Sequence, residues 1–271
     1  MFSILLPLIA QVGIAPTASP VSAVPPELRD RPTRNAPMPD RAPSANAIDV
    51  CLATAKSDPG KARELAEEWV SRTTGPQRAA GRHCLGIAAG NGGDWSAAAA
   101  AFLAARDDAS EPRFRARMSA LAGSAFLAEG EADEALGALD AGKADAAGDA
   151  ELTGAIALDR ASALVALGRE VEAASALAEA RAAVPDDAQA WLLSATLSRR
   201  TGDLAAAQSQ IEQAATLDPR DPAIGLEAGV IAALGGRDEA AKKSFESVIA
   251  AAPDSPQGLA AKQYLAQLTQ P

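Results

Sequence analysis

The chain has 271 residues, 48% hydrophobic but only 3% aromatic, and a net charge of −10. That acidity, with no basic run anywhere, excludes nucleic acid as a partner, because phosphate binding needs clustered lysine and arginine. A composition rich in alanine and poor in aromatic rings favours helices that approach one another closely and bury little area per residue.

Residues 2–16 are mostly apolar, with Leu5, Leu6, Leu8, Ile9, Val12 and Ile14. The run is too short to span a bilayer. Followed by the small residues Val21, Ser22 and Ala23, the stretch 1–23 reads as a signal peptide cleaved near Ala23. The expected location is then periplasmic or secreted, with no integral membrane span left after cleavage. One feature departs from the signal pattern: no Lys or Arg precedes the apolar run, so the amino terminus alone supplies positive charge. Residues 24–43 carry Pro25, Pro26, Pro32, Pro37, Pro39 and Pro43 among charges, which predicts an extended linker without a packed structure.

Residues 44–78 predict a degenerate helical hairpin. Ile48, Cys51, Leu52 and Ala55 share one helical face. Asp58-Pro59 is an N-cap followed by proline at the first helical position. Leu65, Trp69 and Val70 give the second helix its apolar face.

A repeat then takes over. Gly93, Gly130, Gly168, Gly202 and Gly236 each open the same pattern. An alanine follows five residues later (Ala98, Ala135, Ala173, Ala207, Ala241) and a large apolar side chain nine later (Phe102, Leu139, Leu177, Ile211, Phe245). Twelve residues on, the slot is small or β-branched: Ala105, Gly142, Ala180, Ala214, Val248. The last three units add Pro185, Pro219 and Pro253 and keep an unbroken period of 34 residues. Such a period is the signature of stacked helical hairpins, in which each unit contacts only its neighbours. Each glycine can take the left-handed conformation that ends a helix, and Asp94 and Asp203 follow as N-caps. Five units are expected over 79–112, 116–149, 154–187, 188–221 and 222–255, and a capping helix over 257–269 in which Leu259, Leu265 and Leu268 cover the last hairpin.

The pattern from about residue 79 to 255 resembles the tetratricopeptide repeat family. The resemblance is carried by the glycine register and by the small eighth position of each unit: Gly86, Gly123, Ala161, Ala195 and Gly229. It extends to Trp191, early in a first helix; the corresponding Arg82, Ser119, Ala157 and Gly225 depart from the family there. It implies an all-α solenoid of antiparallel hairpins forming a right-handed superhelix over 44–271. In that geometry the small eighth residue is expected to face the alanine of the second helix, with the large residue filling the space beside the crossing.

The family's first helices line a concave groove that binds peptides. Carrying its groove positions across gives a partner-binding set of Asn91, Arg117, Leu158, Gln189, Leu192, Arg199, Arg200 and Leu226, with His83, Ile87, Ala120, Ser124, Ser162, Val165, Thr196, Val230 and Leu234 nearby. In this reading Arg117, Arg199 and Arg200 read carboxylates of an extended partner segment. The family's chaperone-binding members clamp a terminal carboxylate with Lys and Asn at set groove positions, and that set is missing here.

Cys51 and Cys84 lie 33 residues apart, close to one repeat length. In an oxidising compartment they could staple two neighbouring hairpins; the other reading is two buried free thiols packing as small hydrophobes. The bridge is preferred. His83 is the only histidine, and without a spaced ligand motif neither a metal site nor a cofactor is expected.

Catalytic signatures are weak. Gly90-Asn91-Gly92-Gly93 lacks the spacing of a phosphate loop and reads as a hairpin turn. Gly123-Ser124 lacks the second glycine of a nucleophile elbow. Asp107-Asp108 and Asp186-Asp187 read as solvated turns, and Trp69, Trp95 and Trp191 as core residues. The chain therefore reads as a non-enzymatic interaction scaffold or assembly factor of the bacterial envelope with a protein or peptide partner. The alternative is a glycan- or peptidoglycan-fragment-binding accessory subunit of an envelope enzyme. Such sites stack aromatic rings on sugars, and the register places none in the groove.

Overall fold

The computed structural model describes residues 46–269; the signal peptide expected over 1–23 and the linker expected over 24–43 lie outside the described residues. Among the described residues there are thirteen helices and no strand. They are α1 (Ala47–Ser57), α2 (Pro59–Arg72), α3 (Gly75–Asn91), α4 (Trp95–Asp108), α5 (Pro112–Glu129), α6 (Ala132–Asp145) and α7 (Ala150–Ala166). After them come α8 (Glu170–Ala183), α9 (Ala188–Arg200), α10 (Leu204–Leu217), α11 (Pro222–Leu234), α12 (Asp238–Ala251) and α13 (Pro256–Leu268). Each odd-numbered helix up to α11 pairs with the even-numbered helix after it, and α13 closes the stack against α11 and α12.

Local chemistry sets the helix ends. Asp94 and Asp203 cap α4 and α10 by accepting from the backbone N–H of Ala97 and Ala206. Asp58, Asp149, Asp187, Asp221 and Ser255 cap α2, α7, α9, α11 and α13 in the same way. The five register glycines take φ between 69° and 89°, the left-handed conformation that lets a first helix stop and its partner turn back. The first helices of the last two units start at Ala188 and Pro222, where the repeat predicts them; α3, α5 and α7 start about a turn before the expected 79, 116 and 154. These three are correspondingly longer, 17, 18 and 17 residues against 13 for α9 and α11.

The core follows the register. Every residue five, nine and twelve places after the five glycines is buried, as is every eighth-position residue. The crossing differs from expectation in one respect. The small eighth residue meets the large residue of the second helix, not its alanine. A Cβ at Gly86 or Gly229 would overlap the ring of Phe102 or Phe245, and at Gly123 it would lie 2.5 Å from Leu139 Cγ. The alanine lies one turn further along: a Cβ at Gly90 would meet Ala98 Cβ at 3.8 Å. In an antiparallel pair, moving a turn forward on one helix means moving a turn back on the other. The alanine therefore lets the helices converge toward the loop, and the glycine accommodates the ring.

Several other expectations are corrected. Asp108 is no solvated turn. Its side chain is 8% exposed and bonds Arg78 Nε at 2.7 Å and Arg82 Nη1 at 2.7 Å. Trp95 is 39% exposed at the start of α4, where its ring lies over Gly90. Leu259 is exposed, while Leu265 and Leu268 pack on the last hairpin as predicted. Cys51 of α1 and Cys84 of α3 are paired across two first helices, with Cα atoms 6.1 Å apart, within the range a bridge needs.

Candidate functional site

The odd-numbered helices form one layer and the even-numbered helices the other. First helices of neighbouring units pack directly on one another at α1–α3, α5–α7, α9–α11 and α11–α13. Second helices are tied by long side chains instead, through Arg106 to Asp145 and Lys143 to Glu179. Closer spacing of the first helices makes their free face the inner side of the stack.

The structure sorts the predicted groove residues into three groups. Arg117, Gln189 and Arg200 are exposed; Arg117 and Arg200 form no ion pair among the described residues. Leu158 and Leu226 are half-buried against the clusters around Ala157 and Phe245. They present an edge to the face and also hold the stack together. The remaining three serve the fold. Asn91 donates its amide to the Ala55 carbonyl at 2.8 Å. Leu192 is buried with Ala195 and Ile211, so no partner reaches it. Arg199 grips Glu227 through two contacts, Nε at 2.6 Å and Nη2 at 3.3 Å, so its charge is already answered by α11. His83 is also not a groove residue: it is 6% exposed and sits between the rings of Phe102 and Phe114. Burial there, with the Arg117 charge beside it, lowers its pKa to about 4.

The arginines that remain available are informative. On the first helices, Arg78 and Arg82 meet Asp108, Arg113 meets Asp149, Arg115 meets Asp145, Arg160 meets Asp140 and Arg199 meets Glu227. Arg117 and Arg200 are left, and both stand at positions picked out from the sequence. Between their helices α7 presents Ser162, exposed, and Asp159, half-buried. Asp159 was not singled out from the sequence. The signal was there: an acid between Leu158 and Arg160 on a helix face otherwise made of small and apolar residues. The face thus combines apolar edges (Ile87, Leu158, Val165, Leu226, Val230), two free guanidinium groups and hydroxyls. The arrangement suits an extended polar segment with occasional apolar side chains.

Residues 158–222 and 192–256 match the tetratricopeptide repeat family model. The stack is a tetratricopeptide-repeat fold. No curated protein matches the chain in sequence. Among solved structures, PilW, a widely conserved type IV pilus biogenesis factor, is 17% identical with a TM-score of 0.66, covering 79% of this chain and 95% of that one. Pseudomonas aeruginosa pilF is 13% identical with a TM-score of 0.65, over 82% of this chain and 98% of that one. YrrB, a tetratricopeptide protein with an unusual peptide-binding site, is 20% identical with a TM-score of 0.51, over 68% and 92%. At these identities the likeness is one of fold. No described helix is long and apolar enough to cross a membrane.

Proposed function

We propose that this tetratricopeptide-repeat chain is a non-enzymatic scaffold that binds an extended protein segment along its first-helix face, and that it works in the bacterial cell envelope after export. The observation that carries the binding reading is the pair of exposed, uncompensated arginines, Arg117 and Arg200, on the inner face of a stack that pairs its other first-helix arginines with carboxylates. A cation kept free on a concave surface of an acidic protein is placed to meet a carboxylate from outside. The peptide-binding site of YrrB and the pilus role of PilW lend support. Export is supported by the apolar run at 2–16 and by the Cys51–Cys84 pairing, of a kind common in oxidising compartments and rare in reducing ones.

A photo-crosslinking amino acid placed at the exposed Gln189 of α9, in the full chain in living cells, tests the binding reading, with Glu246 on the opposite layer as control. Adducts at position 189 alone, weakened by Arg117→Ala/Arg200→Ala, are the expected result. Equal labelling at both positions, or none at 189, refutes it. Fractionation of the same cells, with sequencing of the mature amino terminus, tests export.

A further inference from the structure

Asp159 is a carboxylate without a counter-charge. Its Oδ2 accepts from Ser124 Oγ of α5 at 2.6 Å, and no basic side chain among the described residues bonds it. Most half-buried acids within the helices are answered by a cation: Asp108 by Arg78 and Arg82, Asp145 by Arg106 and Arg115, Glu179 by Lys143, Glu227 by Arg199. Among the half-buried acids at helix N-caps, Asp149 also meets Arg113, while Asp187 and Asp221 accept from backbone N–H groups. The adjacent Arg160 is engaged with Asp140. Burial, only partly offset by Ser124, raises the Asp159 carboxyl above the usual carboxylate range. For the free fold this is a cost without a return, since an uncharged side chain of similar size would join α5 to α7 better.

What surrounds the carboxylate accepts hydrogen bonds and faces the open side. Ser162 lies one turn along α7 from Asp159, on the same side of the helix. It is exposed and spends its hydrogen on the Leu158 carbonyl at 3.2 Å. Ser124, also exposed, has its hydrogen engaged by Asp159 or by the Ala120 carbonyl. The two hydroxyls and the carboxylate keep free lone pairs, while an ammonium or guanidinium group offers donors only.

We propose that the seam between α5 and α7 receives a lysine or arginine side chain of the bound segment, with Asp159 as its counter-charge and Ser124 and Ser162 as further acceptors. The proposal rests on the groove reading above and adds the partner's chemistry: a basic residue opposite α7, flanked by acidic ones that reach Arg117 on α5 and Arg200 on α9.

The test selects displayed random short peptides against the full chain and measures the affinity of a selected peptide. Selected sequences are expected to share a fixed Lys or Arg. Asp159→Asn should bind such a peptide at least about thirty-fold more weakly, the consequence of removing one member of a desolvated charge pair. Replacing the peptide's basic residue by Gln should weaken wild-type binding to a similar degree and leave Asp159→Asn unchanged. Ser124→Ala, which keeps the carboxylate, should show a smaller loss in the same direction, and circular dichroism checks that both variants stay folded. Peptides without a shared basic residue, or equal binding by Asp159→Asn, overturn this proposal and leave the groove reading intact. If peptides are selected but bind Arg117→Ala/Arg200→Ala as tightly as wild type, or if none is selected, the groove reading falls and this one with it.

Discussion

The same chemical change at two glycines should have opposite effects on stability. Gly123 lies in α5 and Gly137 in α6, both inside helices of one hairpin. Replacing a helical glycine by alanine stabilises the helix by about 0.8–1.0 kcal/mol when nothing obstructs the new methyl group. At Gly137 nothing lies within 4 Å of that methyl, so the full gain of about 1 kcal/mol is expected. At Gly123 the methyl would lie 2.5 Å from Leu139 Cγ and 2.6 Å from Cδ2. Leu139 has no exposed surface and is enclosed by its core cluster, so it has nowhere to go. An overlap of that size belongs at the upper end of the overpacking range of about 1–3 kcal/mol. Subtracting the helical gain leaves a net loss of about 2 kcal/mol.

Urea denaturation, read as midpoint at unchanged slope, measures both. A second background isolates the cause. Leu139→Ala alone should cost about 2–5 kcal/mol for its lost burial and cavity. In that background Gly123→Ala meets no side chain at Leu139 and should become stabilising, a reversal of sign that reports direct contact between the two positions. If Gly123→Ala stabilises the wild type as Gly137→Ala does, or destabilises in both backgrounds, then the small eighth residue is not there to admit the large residue of the second helix.

Other predictions concern charge and covalent ties. His83, with its pKa lowered to about 4 from 6.5 by burial and by Arg117, is neutral in the fold; its contribution to stability is complete above about pH 6.5 and is lost as pH falls toward 4. The loss is on the order of 3 kcal/mol, and His83→Phe should remove that part of the slope in urea titrations across this range. Asp108 behaves as an acid held below the usual range, by the hydrogen bond from Arg78 first and by the charges of Arg82 and Arg78, against the opposing effect of burial. Its contribution is therefore present at neutral pH and disappears as pH drops through its lowered pKa. Asp108→Asn should destabilise at pH 7, and the difference from wild type should close in acid. Reduction of Cys51–Cys84 should remove about 3.7 kcal/mol in the chain-entropy account of a 33-residue loop. Hydrogen exchange should rise in α1 and α2 and stay unchanged from α5 onward. Ser119 Oγ is buried with no hydrogen-bond partner among the described residues, so Ser119→Ala should stabilise by about 1 kcal/mol in the same denaturation assay.

The fold was legible in the sequence because the slots that define it are steric. The large side chains seated against Gly86, Gly123 and Gly229 leave no room for a substituent, and a left-handed turn at Gly130 favours glycine, so both leave marks at fixed spacing. What the spacing could not tell was the partner of each small slot: Ala98 and Phe102 are both buried on α4, and only the crossing shows that Phe102 meets Gly86. The site was less legible because long side chains choose among several neighbours. Arg199 and Arg200 are adjacent and equally basic, yet one grips Glu227 and the other is free. Nothing at the level of residue type separates them; the difference lies in which way the last turn of α9 faces.

A sparser pattern was present thirteen places after the register glycines, at Arg106, Lys143 and Arg181. The first two reach across to the second helix of the next unit, to Asp145 and Glu179. The third would need an acid at the corresponding places of α10, where Gln213 and Leu217 stand. With no carboxylate available, Arg181 lies over the ring of Trp191, its guanidinium carbon 4.8 Å from the ring centre. The indole in turn donates to the Pro185 carbonyl at 2.9 Å. Trp191 is half-buried: it packs against the core cluster around Ile211, as expected, and also ties two units together. A cation over an aromatic face replaces the ion pair, and where it is partly buried it is screened by salt less than an exposed ion pair. The Lys143–Glu179 pair is more exposed than Arg106–Asp145, so raising ionic strength should loosen the joint made by Lys143 before the one made by Arg181. Hydrogen exchange at α5–α8, compared with α9–α10 across a salt series, reads that order directly, and a uniform response along the stack would show that these long side chains do not hold the second-helix layer together.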